Sequence, residues 1–577
     1  MTVRIGNCSG FYGDRLSAMR EMLEGGQLDY LTGDYLAELT MLILGKDTMK
    51  DPSLGYARTF VRQVEDSLGL ALEKGVRIVS NAGGLNPAGL ADRLREVATG
   101  LGFDVPIAYV AGDDLRAQAA ELELGNALTA NAYLGGFGIA RALDEGAQIV
   151  VTGRVTDASV VVGPAIHAHG WTERDHDQLA GAMIAGHVIE CGCQASGGNF
   201  SGFRSLARQG LLNTPIGFPL AEVAADGSVV ITKHEGTGGA VTVDTVTAQL
   251  VYEIQTTRYL GPDVTADLTS LHLEQVGPDR VAITGVRGEA PPESLKVCVN
   301  ELGGWRNSVE FVLTGLETEA KADWVREQMT AAMAAAPPET VHWSRTARPH
   351  TDADTEEGAS ILLRCTVLDP DAKPVGKPFT AAAVELALAS YPGFTMTGPP
   401  PAPTPYGVYQ PHYVPRSAVT HTVHHADGRS ETIADPSVLT TITVETPAVP
   451  VAPAEQGFQV RRIPLGTFVH ARSGDKGGDA NLGLWVARDQ VVDAELWQAR
   501  VRWLTDLITS AKMRELVPEA VDLDVEVYPL PNLGGVNVLI RGLLGRGVAS
   551  STRFDPQAKG LGEWVRSRMV TVDEALL

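Results

Sequence analysis

The chain has 577 residues, with 70 acidic against 47 basic side chains and a formal net charge of −23. That balance speaks against non-specific nucleic-acid binding and against an anionic membrane surface, because both need a cationic face. Five cysteines, few and odd in number, speak against a disulfide framework. No apolar run reaches the ~18 residues of a membrane span, and the opening MTVRIGNCSG lacks a signal-peptide layout, so a cytosolic protein is expected.

The first ~260 residues alternate short apolar runs with segments of helical period. Val3–Gly6 precedes Leu16, Met19, Met22 and Leu23. Val76–Ser80 precedes Leu90, Leu94, Val97 and Leu101. Val105–Val110 follows, and then Gln148–Thr152 after Ile139, Ala142 and Leu143. This is the pattern of βαβ units and predicts an α/β fold with a mostly parallel sheet and flanking helices. Val229–Thr232 and Ala240–Thr245 read as strands about a glycine-rich turn. Leu295–Val299 and Ile361–Val367 read as strands, and Thr318–Ala335 as a helix, in an α+β extension. Two proline-rich stretches follow, Gly398–Pro405 and Pro447–Pro453, the second marking a domain boundary. Beyond it, strands near 467–470, 482–486, 521–527, 536–540 and 547–551 and helices near 494–510 and 562–568 predict a smaller α+β, ferredoxin-like C-terminal domain. The expected layout is an N-terminal domain over 1–450 (α/β core about 1–285, extension about 286–450) and a C-terminal domain over 455–577.

Candidate chemistry lies where the loops follow strands. Asn81-Ala-Gly83-Gly84-Leu-Asn86-Pro87 joins a strand to a helix, with Asn86 suited to the N-cap and Pro87 to the first helical turn. It reads either as a capped turn or as an anion site at a helix N-terminus. Asn7, Asp113, Arg154 and Asp157 follow three other strands, on the rim where open α/β sheets bind ligands. Arg154 suits a carboxylate or phosphate clamp, and Asp157 suits an acid or base. An isolated Asp titrates near ~3.9, so Asp157 needs burial or a like charge to act near neutrality. His187 and Glu190, three apart on a helix and beside Cys191, read as an acid–base pair, as metal ligands, or as structural groups. Gly238, in Lys233–Gly239, belongs either to an anion nest or to a hairpin turn. Arg472, Ser473, Asp475 and Lys476 form a polar loop that suits ligand contact. No zinc spacing and no nicotinamide or Walker fingerprint is present, so neither a metal nor a cofactor is expected.

IGNCSGFYGDR, NAGGLNP, GRVTDAS, GHVIECGCQASGGNF, HEGTGGAVTVDTVTAQLVYEI with RYLGPDV, and RSGDKGGDANLGLW together resemble the acyclic terpene utilisation family, AtuA type, with a fused ferredoxin-fold domain. The resemblance implies breakdown of branched acyclic terpenoids through CoA thioesters, beside acyl-CoA carboxylases, and carries no settled catalytic residues. The expected function is a catabolic lyase or hydratase acting on a branched acyl-CoA or related carboxylate. Asp157, His187 and Glu190 are its acid–base groups, and Asn7, Asn81, Gly83, Gly84, Asn86, Arg154, Gly238, Arg472, Ser473, Asp475 and Lys476 its binding groups. The alternatives are a non-catalytic partner of an acyl-CoA carboxylase and a metal-dependent hydrolase. A small-molecule substrate and a homo-oligomer are expected; no nucleic acid and no membrane is.

Overall fold

A computed structural model describes residues 2–441, 459–488 and 493–577. The expected boundary at Pro447–Pro453 lies outside them. The chain divides into two compact units, one of 1–300, 409–547 and 557–577, the other of 301–408 and 548–556.

At the centre of the first unit, Thr2–Asn7, Tyr30–Gly33, Arg77–Ser80, Ile149–Thr152 and Ile107–Ala111 lie side by side in that order, all parallel. Successive residues face opposite ways along a strand. Ile78, Ile149 and Val151 therefore pack with the helices Ala18–Gly25, Arg58–Lys74 and Pro87–Gly100, while Val79 and Val150 pack with Phe137–Asp144, Ser159–His169 and His176–Ile189. The chain steps past one position to reach Ile107–Ala111 and then returns to insert Ile149–Thr152. This reversal opens the crevice that such sheets use for ligands.

The sheet is mixed, not mostly parallel. Four antiparallel strands extend one edge (Pro219–Ala224, Val229–Lys233, Arg280–Thr284, His272–Gly277) and two extend the other (Thr422–His424, Ser430–Thr432). The sequence pattern does not separate these, because alternating apolar residues fit either direction of pairing. The expected strand at Ala240–Thr245 is instead the start of a helix, Val243–Leu250. Thr242 accepts from Thr245 N at 3.2 Å, and Thr245 Oγ1 accepts from Thr242 N at 2.9 Å, a reciprocal cap that outweighs the β-branched composition.

The C-terminal part carries an antiparallel sheet in the order Val469–Lys476, Asp479–Val486, Gly535–Ile540, Val525–Leu530. Helices Ala494–Leu507, Ser510–Leu516 and Leu561–Ser567 enclose a core around Leu482, Leu484, Val501, Leu504 and Val538. The expected strand at 547–551 is absent; residues 548–550 form a turn. This sheet packs on the rest of its unit through Trp485 Nε1, which donates to Asp244 Oδ1 at 3.1 Å, and through Asn532 Nδ2, which donates to Leu268 O at 2.8 Å. In the second unit, Thr340–Arg345, Ser360–Asp369 and the latter part of the strand Ser294–Thr314 form an antiparallel sheet. The helices Thr318–Met333 and Lys377–Glu385 cover it, with Phe311, Leu363, Met329 and Phe379 in its core. No helix among the described residues is long and apolar enough to cross a membrane.

Candidate functional site

Four of the expected rim residues meet at the carboxyl ends of the parallel strands, each held by the chain itself. Asn7 Nδ2 donates to Ile189 O at 2.7 Å and Glu190 O at 3.1 Å, tying the end of its strand to the end of the His176–Ile189 helix. Asn81 donates to Asp34 Oδ1 at 2.5 Å and accepts from Tyr35 N at 2.8 Å. Asp113 Oδ2 accepts from Arg154 N and from Asn131 Nδ2, both at 2.8 Å. The Arg154 side chain, 2% exposed, ion-pairs with Asp157 Oδ1 at 2.9 Å, donates to Leu36 O at 2.7 Å and lies 4.3 Å over the Tyr133 ring. Arg154 is thus a buried counter-charge beneath the site.

Burial pushes the Asp113 carboxyl up to about 7, against the hydrogen bonds from Arg154 N and Asn131 that favour its charge. A carboxyl raised in the folded state gives stability that is present below its unfolded value near ~4 and is lost as pH rises through about 7. Denaturation midpoints of the wild type and Asp113→Asn at pH 4.5 and 7 test this. The wild type should lose up to about 1.4 kcal/mol per pH unit relative to the variant. Parallel pH dependences would contradict it.

The glycine-rich turn after Ser80 serves the chain. Asn86 Oδ1 caps its helix from Gly89 N at 2.9 Å, and Asn86 Nδ2 donates to Ser53 O and Leu54 O. The amides of Gly84, Leu85 and Asn86 are bonded to Asn81 O, Gly55 O and Gly83 O. A Cβ at Gly83 would stand 2.4 Å from Thr152 O, and Gly84 has φ +53°. Gly238 N donates to Pro215 O, and Lys233 Nζ folds back onto Thr237 O at 2.9 Å and Asp279 at 3.1 Å. These loops are thus closed on themselves, their amides and lysine engaged within the chain.

A cavity of about 160 Å³ opens beside Arg154. Asp157 and Lys476 line it, together with residues that the sequence reading did not single out: Tyr133, Glu253, Tyr259, Lys296 and Tyr409. Glu253 sits at φ +57°, a strained setting for a non-glycine residue. It is fixed there by the C-terminal part, where Asn481 Oδ1 accepts from Glu253 N at 2.7 Å and Lys559 Nζ, just before the helix Leu561–Ser567, lies 3.5 Å from Glu253 Oε1. Lys559 also pairs with Asp475 at 3.6 Å and hydrogen-bonds Tyr252 OH. Arg472 lies 4.2 Å over the Tyr252 ring and reaches Gln194 and Asn199 O. Ser473 accepts from Gly562 N at 2.8 Å and donates to Ala558 O. The expected polar loop is instead the end of the strand Val469–Lys476, because its residues pair with Asp479–Gly483; Lys476 reaches the cavity, Arg472 ties the strand to the N-terminal part, and Ser473 and Asp475 bond within the C-terminal part. Lys476 makes no ion pair within 4 Å among the described residues.

His187 and Glu190 are buried one ring behind the cavity. His187 Nδ1 is 3.1 Å from Glu190 Oε1, and the His187 ring lies 4.5 Å from that of Tyr259. Burial, with Lys476 adding to it, lowers His187 to about 4. Glu190 is raised well above the carboxylate range by burial and by the charges of Asp157 and Glu253, and Asp34 by burial and Asp157. Cys191 is raised by burial, Glu253 and Glu190, which disfavours a thiolate. The two carboxylates facing the cavity diverge. Burial outweighs Arg154 and raises Asp157, whereas Lys559 and Lys476 outweigh burial and lower Glu253. Environments that push two carboxyl groups apart in this way equip one as proton donor or acceptor near neutrality and keep the other ionised.

The fold and site define an α/β protein with a ligand cavity at the carboxyl ends of parallel strands, completed by a lysine from an appended domain. A family model described as "Acyclic terpene utilisation family protein AtuA" matches residues 3–425, and one described as "AtuA ferredoxin-like domain" matches residues 463–571. The chain belongs to the acyclic terpene utilisation family. Searches of curated proteins and of solved structures each gave no match.

Proposed function

We propose that the protein is a cytosolic catabolic enzyme that moves a proton on a branched-chain acyl-CoA or related carboxylate, by lyase or hydratase chemistry, in terpenoid or branched-acid breakdown. The observation that carries this reading is the pairing of Asp157 and Glu253 in one cavity with Lys476 and Lys296. Lys476, without an ion pair of its own among the described residues, takes the substrate's negative oxygen. Asp157 exchanges the proton, and Glu253 remains a carboxylate that stabilises positive charge. Tyr259 and Tyr409 are held protonated by burial and serve as hydroxyl donors, while the Tyr133 hydroxyl donates to Glu38. A cavity near 160 Å³ admits a group about the size of benzene, so a short branched acyl unit fits within it and a CoA moiety would extend outside.

The test is deuterium incorporation from D2O into a panel of branched acyl-CoAs and their free acids. Exchange supports the reading. No exchange, with stable co-purification of an acyl-CoA carboxylase, would replace it by the non-catalytic partner. Lys476→Met should weaken binding of 3-methylbut-2-enoate about tenfold to a hundredfold, the worth of one charge-assisted hydrogen bond. Calorimetry checks this, and unchanged affinity would remove Lys476 from the site.

A further inference from the structure

Lys296 stands near the start of the strand Ser294–Thr314 and lines the cavity. Its side chain is 26% exposed. The amine lies 4.7 Å from the Tyr133 ring centre and 5.8 Å from that of Tyr409, and its carboxylate neighbour, Glu38 Oε1, is 3.6 Å away, beyond a hydrogen bond. Glu38 Oε1 in turn accepts from Tyr133 OH at 3.1 Å. The Tyr409 hydroxyl is buried with no hydrogen-bond partner among the described residues. An amine that lines a cavity beside two tyrosine rings and near other cations is a setting in which lysines attack carbonyls. Burial lowers Lys296, with Lys476 and Arg154 adding to it against the pull of Glu38.

We propose that Lys296 is a covalent nucleophile, forming a Schiff base with the ketone carbonyl of a short 2- or 3-oxo acid whose carboxylate pairs with Lys476. The proposal rests on the same cavity as the proton-transfer reading and adds a substrate class to it. Lys296 is partly exposed, so water takes one ammonium proton, and the amine attacks the carbonyl carbon. A second proton passes from nitrogen to the former carbonyl oxygen. Water returns a proton to that hydroxyl, which leaves as a second water. The C=N bond replaces C=O, one water is released and the net charge is unchanged. The resulting iminium is a cation, which the Tyr133 and Tyr409 rings favour, and it withdraws electrons from the neighbouring carbon, where Asp157 acts.

The test is borohydride reduction in the presence of acetoacetate or 3-methyl-2-oxobutanoate, read by intact mass and peptide mapping. One adduct per chain is expected, of mass equal to the acid less one oxygen, on the peptide carrying Lys296. It should be absent in Lys296→Arg and Lys296→Gln and diminished in Lys476→Met. No adduct, or an adduct spread over surface lysines, overturns the proposal even if neither variant folds, because the mapping is made on the wild type. Deuterium exchange into acyl-CoAs without any adduct would overturn it while leaving the proton-transfer reading in place; an adduct without such exchange would do the reverse.

Discussion

Replacing Asp157 by Asn should reduce deuterium exchange by about 10²- to 10⁴-fold, the usual contribution of a positioned acid or base, and leave the fold intact. Asn preserves the shape and can still accept from Arg154 Nη2, which lies 2.9 Å from Asp157 Oδ1 in the wild type. It cannot carry the proton. Because burial raises the Asp157 carboxyl, wild-type exchange should change with pH above the ordinary aspartate range, and the variant's residual rate should not follow that change. An unaltered rate, or loss of the folded state, would assign Asp157 to packing instead.

The largest effect on stability is expected at Arg154. Arg154→Met removes a guanidinium 2% exposed that serves as counter-charge to Asp157, acts on Asp34 and Glu190, and bonds Leu36 O. Breaking a buried pair on one side costs roughly 3–5 kcal/mol, because the remaining charge stays buried. The carboxyl groups left behind can escape part of that cost by taking up protons. The deficit should therefore be greater at pH 7.5 than at pH 5, and a second change, Asp157→Leu, should recover part of it. Denaturant titrations of the four proteins form the cycle. A loss under about 1 kcal/mol, the value of an exposed pair, would show that Arg154 is not the electrostatic floor of the site.

Much of this architecture is legible in the sequence for a physical reason. Parallel strands covered on both faces leave continuous apolar runs, and the loops after Asn7, Ser80, Ala111 and Thr152 then fall on one rim, at the carboxyl ends of those strands. Asn86 and Pro87 announced a capped helix, which the bond from Gly89 N bears out. Other features were hidden. Strand direction at the sheet edges leaves no periodic trace. Tyr30–Gly33, with the sequence YLTG, has no run of Val or Ile to mark a strand, so neither it nor Asp34 at its end is legible. Glu253, Tyr259 and Lys296 come from segments far from the glycine-rich loops, and tertiary packing alone brings them to the cavity. Glu253 and Tyr259 lie in YEI and RYLGPDV, stretches that carried the family resemblance, so a signal was present without its chemical meaning. His187 and Glu190 share a helix face as their spacing requires, yet spacing does not show that the Tyr259 ring stands between them and the cavity.

The most direct test of the central claim is a crystal structure of the protein with 3-methylbut-2-enoate. The account predicts the acid in the cavity among Tyr133, Glu253, Tyr259 and Lys296, its carboxylate within ion-pair distance of Lys476 Nζ and its carbon chain beside Asp157. An acid seated elsewhere, or an empty cavity at saturating acid, would contradict it.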